Sequence, residues 1–370
     1  MRILITAGGT GGHVFPALVV AEQLQAAKHE ICWLGTPDSF ESRLVPEHGF
    51  PLETIPAQRL RGQNSWATLK APFALMSSIW QARHLLRRWQ PQVVLGMGGF
   101  AAGPGGIAAL WQRIPLVIHE QNAVAGLTNR ILARFADRTL SAFANAFPAH
   151  HPFTVVGNPV RDTLYQRPPA AECRTQPPPD APLRLLVLGG SLGALALNQA
   201  VPPALARLTQ PVQVLHQAGH GKTQQTRALY QAHHLHADVV PFISDMAAAY
   251  ATADLVICRS GALTVAELTA VGRAAILVPY PQAVDDHQTH NAAVLVQAGA
   301  AILIKQRDLT PHALATQLEQ LSTKPDRRQQ MAKQAQTLAQ PQAAAQIAAA
   351  CLQAAVTPPS NPAKDHTCHP

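Results

Sequence analysis

Short apolar runs alternate with longer amphipathic segments along the whole chain. Such runs are typical of buried parallel strands, and the segments between them have the spacing expected of crossover helices. In the first half the runs are Ile3–Thr6, Ile31–Leu34, Val93–Leu95, Leu116–Ile118 and Val155–Val156. In the second half they are Leu185–Leu188, Val212–Leu215, Val239–Val240, Leu255–Ile257, Ile276–Val278 and Ile302–Ile304. The pattern predicts an α/β protein built on parallel sheets.

Each half opens in the same way, with an apolar strand, a glycine-rich turn and a helix. The two openings are RILITAGGTGGH at 2–13 and LRLLVLGGSLGA at 183–194, and the proline-rich stretch 167–182 indicates an extended linker between the halves. A chain of 370 residues is longer than one hydrophobic core usually serves. We therefore expect two doubly wound domains that face each other, at 1–162 and 163–339.

The composition of the C-terminal end predicts a helix followed by a disordered tail. The Ala/Gln-rich segment 334–355 has high helix propensity, and a helix over about 340–356 is expected to pack back on the first domain. The tail 357–370 is polar, contains four prolines and is predicted to be disordered.

Composition narrows the class of protein. Hydrophobic residues make up 47% of the chain and charged residues 14%, which indicates a globular protein. A net charge of +8 favours an anionic partner, which could be nucleic acid, anionic lipid or a phosphorylated ligand. Five scattered cysteines form no C-x-x-C pair, so a zinc site is not expected. An odd number without a disulfide pattern favours a reducing cytoplasm as the location. Neither a signal peptide nor a membrane-spanning run is apparent, so we expect a soluble or peripheral protein that is not exported.

Three glycine-rich turns follow strands, at 8–12, 96–106 and 189–193. Such a turn lets backbone N–H groups approach an anion at a helix N-terminus. The spacing is neither G-x-G-x-x-G nor a Walker loop, which disfavours a dinucleotide oxidoreductase and a P-loop NTPase. The alternative is that each turn only needs a positive φ. Three such turns at the carboxyl ends of strands favour phosphate binding.

Polar residues after other strands add candidate chemistry. His13 directly follows the first turn and suits a general base, although a capping or core histidine is the alternative. HEQN at 119–122 and GNPVR at 157–161, which ends in Arg161, could bind a polyhydroxyl ligand and a phosphate. Glu267 lies two turns into the helix that follows residues 258–261, where it could bind ribose hydroxyls. The alternative is a helix carboxylate exposed to water. The segment DDHQTHN at 285–291 could bind either a metal ion or a sugar, and we favour hydrogen bonding to a sugar.

A basic segment without acids runs from Thr54 to His119. Apolar and aromatic residues are interleaved with its arginines and lysine, which suits anionic headgroups with shallow apolar insertion. The alternative is an ordinary helix with its basic face in water. The basic residues are Arg59, Arg61, Lys70, Arg83, Arg87, Arg88 and Arg113. The apolar ones are Trp66, Leu69, Phe73, Leu75, Met76, Ile79, Trp80 and Trp89.

The order of these motifs resembles the MurG family of transferases, within glycosyltransferase family 28. The motifs are GGTGGH, RLRG, GMGGF, HEQN with AGLTN, GNPVR, GGS-x-GA, CRSGALTVAE and DDHQTHNA, and they span roughly residues 2–305. The resemblance implies a GT-B fold, with two Rossmann-like parallel-sheet domains and a cleft between them. It also implies inverting transfer of GlcNAc from UDP-GlcNAc to lipid I (undecaprenyl-pyrophosphoryl-MurNAc-pentapeptide), giving lipid II for peptidoglycan, with no catalytic metal and no cofactor.

The resemblance also implies roles for individual residues. His13 is the candidate base, and the acceptor pyrophosphate is expected at Gly11, Gly12, Gly98 and Gly99. Glu267 is expected on the ribose, Ile243 on uracil, Gln288 and Asn122 on GlcNAc, and Ser191 on the diphosphate. The full set of donor-binding candidates is Thr10, Gly11, Gly12, Asn122, Arg161, Ser191, Ile243, Arg259, Ala262, Leu263, Thr264, Val265, Ala266, Glu267 and Gln288. Leu192 departs from the family's usual glutamine, which puts a side-chain contact there in doubt.

The resemblance also bears on location and partners. It implies a peripheral enzyme at the cytoplasmic face of the bacterial inner membrane, with UDP-GlcNAc, lipid I and an anionic membrane surface as partners, other cell-wall and division proteins as further candidates, and no nucleic acid. The alternatives are another GT-B UDP-sugar enzyme, such as a lipid glycosyltransferase or an epimerase, and a non-catalytic membrane scaffold that binds UDP-sugar.

Overall fold

The computed structural model describes residues 1–56, 65–166, 181–190 and 193–356, with the backbone alone for 65–71. Several sequence-based predictions therefore lie outside the described residues: those for Ser191 and Leu192, RLRG with Arg59 and Arg61, the side chains of Trp66, Leu69 and Lys70, most of the linker, and the tail 357–370. The described chain forms two compact units, one from Met1–Pro159 with the stretch beginning at Gln342, the other from Val160–Pro341.

The first unit is built on a seven-stranded parallel sheet with the strand order β3-β2-β1-β4-β5-β6-β7. Its strands are β1 Arg2–Thr6, β2 Glu30–Gly35, β3 Leu52–Thr54, β4 Val93–Gly96, β5 Leu116–Glu120, β6 Arg138–Ser141 and β7 Thr154–Val155. Its helices are α1 Gly11–Ala26, α2 Phe40–Glu47, α3 Ser65–Trp89, α4 Ala102–Trp111 and α5 Leu127–Leu132. One sheet face packs on α1 and the other on α3 and α4, which buries the strands on both faces.

The second unit is built on a six-stranded parallel sheet with the order β10-β9-β8-β11-β12-β13. Its strands are β8 Leu183–Leu188, β9 Val212–Gln217, β10 Asp238–Val240, β11 Leu255–Cys258, β12 Ala275–Leu277 and β13 Ala301–Leu303. Its helices are α6 Leu195–Leu205, α7 Thr223–Ala232, α8 Met246–Thr252, α9 Ala262–Val271, α10 His287–Gln297, α11 Pro311–Ser322 and α12 Pro325–Thr337. The prediction of an α/β protein with parallel sheets is confirmed.

The Ala/Gln-rich segment 334–355 contains the end of one helix and most of another, and the second corresponds to the helix expected over about 340–356. α12 ends at Thr337, and the final described helix is α13 Ala343–Val356. Pro341 lies between them, where its missing N–H and its ring disfavour a continuous helix. α13 packs on α1 and on the neighbouring strands of the first unit, where Ile347 and Cys351 enter the hydrophobic core.

Two strands were missed by the sequence pattern. β3 and β6 are Leu52–Thr54 and Arg138–Ser141, short segments that start or end with polar residues. β3 extends the sheet at the edge beside β2, and β6 lies between β5 and β7. Among the described residues, no helix has the length and apolarity needed to cross a membrane.

Candidate active site

The first glycine turn lies where the strand order of the first sheet reverses. β1 lies between β2 and β4, and open parallel sheets bind ligands at the carboxyl ends of strands at such a point. The turns after β1 and β4 meet there, because Gly8 N–H donates to the Gly98 carbonyl at 3.3 Å. A Cβ on Gly99, which has a φ of +90°, would lie 2.2 Å from the Gly8 oxygen. Only glycine permits this backbone contact.

A buried carboxylate holds the first turn from the side. Glu41 in α2 accepts hydrogen bonds from Gly9 N–H at 2.9 Å, Thr36 N–H at 3.0 Å and the Thr36 hydroxyl at 2.7 Å. Burial alone would raise the pKa of Glu41, but these donors outweigh it and hold the pKa below its ordinary value. Sequence reasoning missed Glu41, since its partner Gly9 is distant along the chain and only the pairing of β1 with β2 brings the two together.

The N-terminus of α1 is arranged to receive an anion. Gly11 and Gly12 are the first residues of α1, and the opening N–H groups of a helix have no partner within it. Thr10 is the cap residue, yet no described side chain caps this end. By contrast, Ser39, Asp245 and Thr310 cap the helices that they precede. The partly exposed backbone at residues 10–12 can therefore bind a phosphate through N–H groups and the helix dipole.

His13 lies in the first turn of α1, half-buried against the second glycine turn. A Cβ on Gly98 would lie 2.8 Å from His13 Nδ1, so glycine at this position makes room for the imidazole. His13 Nδ1 lies 2.9 Å from Gln121 Oε1. The structure thus brings together His13, Gly98, Gly99 and the N-terminus of α1, as the sequence predicted for one half of the site.

The interpretation of HEQN as four ligand-binding side chains is wrong for three of them. His119, Glu120 and Gln121 are each at most 2% exposed. The Glu120 carboxylate accepts from the backbone N–H groups of Asn122 and Gly126 and from the Asn122 and Asn129 amides. Buried polar groups must be paired, and the protein itself supplies the partners. Asn122 alone is half-buried, and its side chain donates to Glu120.

In the second unit the strand order reverses between β8 and β11. The glycine turn at 189–190 follows β8, and the segment Arg259–Gly261 follows β11 and leads into α9. No described side chain caps the first turn of α9. Of the residues predicted to hold the donor there, Leu263, Thr264 and Ala266 are half-buried, whereas Ala262 and Val265 point into the core and offer only backbone groups.

Glu267 is the buried carboxylate of this half. It is 9% exposed, and its Oε2 accepts from the Tyr250 hydroxyl at 3.0 Å. Burial raises the pKa of Glu267 to about 7, while the Tyr250 hydroxyl and the charge of Arg161 act in the opposite direction. The alternative of a solvated helix carboxylate is excluded. Tyr250, which the sequence did not single out, orients this group.

The remaining candidates lie on loops around α9 and α10. The Arg259 guanidinium donates to the carbonyls of Val278 and Pro279 and to Gln306, and lies 5.5 Å from the Tyr280 ring centroid. Gln288 Oε1 accepts from Tyr280 N–H. Both side chains therefore position the loop after β12 in addition to any ligand role.

Two further predictions concern Ile243 and the segment 285–291. The Ile243 side chain is buried, so a uracil contact there would use its backbone. Asp285 and Asp286 are exposed and His287 is half-buried. The Asp286 carboxylate accepts from the Thr289 hydroxyl, and His287 Nδ1 donates to the Val284 carbonyl. Within the described part of the chain, no group of three or more metal-ligating side chains could hold a metal ion.

A surface of mixed apolar and basic character covers α3, α4 and α5. α3 packs on α4, and α4 packs on α5. The Arg83 guanidinium lies over the rings of Trp80 and Trp111, at 5.2 and 4.7 Å from their centroids. Exposed arginines on α3, α5 and the turn after α5 include Arg87, Arg130 and Arg134. We call this surface the apolar–basic face, after its exposed side chains Phe73, Met76, Trp80, Trp111, Leu127, Ile131 and Phe135.

Comparison with family models and relatives identifies the class of protein. The glycosyltransferase family 28 N-terminal domain matches residues 3–141, and the glycosyltransferase family 28 C-terminal domain matches residues 184–347. The chain is 53% identical over 361 residues to the UDP-N-acetylglucosamine–N-acetylmuramyl-(pentapeptide) pyrophosphoryl-undecaprenol N-acetylglucosamine transferase of Alkalilimnicola ehrlichii, covering 96% of this chain and 99% of the relative. It is 49% identical over 356 residues to the Pseudomonas aeruginosa transferase of the same name, covering 96% and 99%.

Solved structures agree with these matches. The crystal structure of MurG from Acinetobacter baumannii has a TM-score of 0.83 at 42% identity, covering 95% of this chain and 99% of that chain. The structure of Anabaena Alr3699/HepE in complex with UDP has a TM-score of 0.64 at 17% identity, covering 95% and 100%, and supports the fold alone. The predicted GT-B fold is thereby confirmed. Two domain models that together match most of the chain, and relatives of about 50% identity over nearly its full length, show that this glycosyltransferase belongs to glycosyltransferase family 28.

Proposed function

We propose that the chain transfers GlcNAc from UDP-GlcNAc to the lipid-linked acceptor undecaprenyl-pyrophosphoryl-MurNAc-pentapeptide, lipid I, to give lipid II. The observation that carries this proposal is the transferase name shared by relatives of about 50% identity that cover nearly the whole chain. The geometry supports it with a histidine in the first turn of an uncapped helix in one unit and a buried carboxylate on an uncapped helix in the other.

The second unit, Val160–Pro341, is proposed to bind the donor. Glu267 would accept hydrogen bonds from the ribose hydroxyls, and the first turn of α9 would hold the diphosphate through backbone N–H groups. Ile243 would present its backbone to uracil, and Gln288 and Asn122 would contact GlcNAc. Arg161 would face the negative charge that develops on departing UDP, since its charge already lowers the pKa of Glu267. Thr10, Ser191 and Arg259 complete the proposed donor contacts.

The first unit, Met1–Pro159 with the helix α13, is proposed to bind the acceptor. Gly11, Gly12, Gly98 and Gly99 would surround the acceptor pyrophosphate, because their backbone can approach an anion closely. In the reaction the acceptor hydroxyl oxygen attacks the anomeric carbon and the bond from that carbon to UDP breaks, which inverts the centre. The hydroxyl proton passes to His13 as general base. Fixed backbone dipoles stabilise the leaving diphosphate.

The test of this proposal is a product assay. Purified protein incubated with labelled UDP-GlcNAc and a soluble lipid I analogue should form a labelled disaccharide product together with UDP. UDP-GlcNAc binding without a product would instead support the non-catalytic scaffold, and release of free GlcNAc or a change of sugar configuration would support another UDP-sugar enzyme. Any of these outcomes would overturn the proposed transfer.

We also propose that the apolar–basic face docks on an anionic membrane surface, as a peripheral enzyme at the cytoplasmic face of the inner membrane would. Phe73 is 79% exposed, an unusual position for a large apolar side chain unless it is covered by a partner. The arginines around it favour anionic headgroups, each contributing roughly 1 kcal/mol near such a surface. Docking would bring the enzyme to the membrane in which the lipid of its acceptor is anchored.

Phe73→Ser should weaken binding to anionic vesicles by roughly ten- to a hundred-fold, since inserting a phenylalanine ring contributes roughly 1.5–3 kcal/mol. Co-sedimentation with vesicles of phosphatidylethanolamine and phosphatidylglycerol measures the effect. The matched control is Phe242→Ser, which removes a ring that is 48% exposed in the other unit and should leave vesicle binding unchanged. Equal binding of wild type to neutral vesicles would contradict the electrostatic part, and equal loss in both variants would contradict the assigned face.

A further inference from the structure

A chain of hydrogen bonds runs from His13 into the core of the first unit. His13 Nδ1 lies 2.9 Å from Gln121 Oε1, and Gln121 Nε2 lies 3.0 Å from the Met97 carbonyl oxygen. Gln121 Nε2 also lies 3.2 Å from His119 Nδ1, and His119 Nε2 lies 2.9 Å from the Gly157 carbonyl oxygen. The chain thus joins two histidines through one amide and ends on a backbone oxygen at each branch.

The carbonyl oxygens at the ends determine where the protons are. A carbonyl only accepts, so His119 Nε2 must carry a hydrogen to bond Gly157. In the neutral ring His119 Nδ1 then has a lone pair and accepts from Gln121. The Gln121 atom that faces both Met97 and His119 must be the NH₂ group, which places its oxygen against His13. His13 Nδ1 must therefore donate, which leaves Nε2 with the lone pair.

Burial keeps this arrangement fixed. Gln121 is 1% exposed and His119 is fully buried, so water cannot substitute for a lost partner. Burial also lowers the pKa of His119 to about 4, so its ring stays neutral and keeps the lone pair on Nδ1. With the Gln121 amide rotated by half a turn, its oxygen would face the Met97 carbonyl and the His119 lone pair. Both bonds would be lost at buried groups, which is costly.

We propose that Gln121 is a positioning residue that fixes His13 as the Nδ1–H tautomer, so that His13 presents the Nε2 lone pair to the acceptor hydroxyl. His119 serves in turn to hold the Gln121 amide in its one productive orientation. This assignment rests on the proposed function, in which His13 is the base. It also gives the buried part of the HEQN motif a role in catalysis that requires no contact with sugar.

The direct test is ¹⁵N NMR of the full chain labelled at its histidines, at alkaline pH, where imidazoles are neutral. The ring-nitrogen shifts distinguish the two tautomers, and the spectrum of the His13→Ala variant identifies the His13 signals among the 17 histidines. We expect His13 in wild type to be protonated at Nδ1. A His13 ring protonated at Nε2, or an equal mixture of tautomers, would overturn the proposal without any variant of Gln121.

Two variants of Gln121 separate positioning from a structural role. Gln121→Met keeps the shape and removes the oxygen that faces His13, whereas Gln121→Glu keeps an oxygen there. Gln121→Met should lose the Nδ1–H preference and lower kcat by about ten-fold, a part of the 10²–10⁴-fold that a general base contributes, with the KM for UDP-GlcNAc unchanged. Gln121→Glu should retain the tautomer and recover most of kcat, but with a lower midpoint of thermal unfolding, because its second oxygen faces the Met97 carbonyl and the His119 lone pair.

The outcomes keep the two proposals apart. If Gln121→Met retains the wild-type tautomer, the positioning role of Gln121 is excluded. If both variants lose kcat equally while thermal unfolding shows both to be folded, a structural role is indicated instead. If the tautomer changes but kcat does not, Gln121 does set the tautomer, and it is the assignment of His13 as base in the proposed function that fails.

Discussion

His13→Ala should lower kcat by roughly 10²–10⁴-fold while changing the KM for UDP-GlcNAc little, because a positioned general base contributes that much and acts only in the transition state. The imidazole lies in the first turn of α1 beside the Gly98 backbone, at the end of the sheet where the glycine turns meet. The methyl group of alanine fits that space, so the loss should concern proton transfer rather than folding. Steady-state assays with varied UDP-GlcNAc and lipid I analogue measure both constants.

His48→Ala is the matched control for this variant. His48 Nδ1 lies 2.9 Å from Glu22 Oε1, so its ring also has one polar partner in the first unit, but it lies on the surface away from the glycine turns. Its activity should match that of wild type. A His13→Ala enzyme that keeps more than about a tenth of wild-type kcat would assign the base to another group, since the loss would fall below the range for general-base catalysis.

The fold follows from local patterns, which is why the sequence predicted it. Buried parallel strands require apolar runs, and crossover helices require amphipathic segments, so both are visible without tertiary information. β3 and β6 were missed because three- and four-residue strands with polar ends carry little periodic signal. The C-terminal helix expected over about 340–356 is observed at Ala343–Val356, and Pro341 separates it from α12 because proline lacks an N–H and its ring disfavours a continuous helix.

The site was predictable only where its parts are neighbours in sequence. The glycine turns and His13 are local features at strand ends, and the structure brings the first two turns together. Glu41, Gln121 and Tyr250 act through partners that are 32, 108 and 17 residues away, so no motif reveals them. The same cause explains the error for HEQN. Polar residues at a strand end were assigned to a ligand because their buried partners in the protein were not visible in the sequence.

Glu267→Gln should stabilise the second unit relative to wild type at neutral and alkaline pH, and by less as the pH falls. Burial raises the pKa of Glu267 from 4.5 to about 7 in the folded protein. Below about pH 4.5 the Glu267 carboxyl is protonated in both the folded and the unfolded chain, so its burial carries no penalty for a charge. Between 4.5 and 7 the unfolded chain releases the proton and the folded chain keeps it, so stability falls as the pH rises. A shift of this size corresponds to about 3 kcal/mol.

Glutamine cannot titrate, and its oxygen can still accept from the Tyr250 hydroxyl. The difference in unfolding free energy between Glu267→Gln and wild type should therefore increase by about 3 kcal/mol from pH 4.5 to above pH 7. Contributions from other groups, including Glu41 with its lowered pKa, are common to both proteins and cancel in the difference. Urea titrations over this pH range, followed by far-UV circular dichroism, measure it.

The distribution of aromatic residues supplies an internal control. All five tryptophans lie at or before Trp111, so tryptophan fluorescence follows the unfolding of the first unit alone. That transition should have the same urea midpoint in both proteins at every pH. The dichroism transition of the second unit should have different midpoints in the variant and the wild type as the pH rises. A difference that is constant across the pH range would mean that the folded carboxylate titrates at its ordinary value. Glu267 would then be open to water, and a buried, Tyr250-oriented acceptor for ribose hydroxyls would not exist.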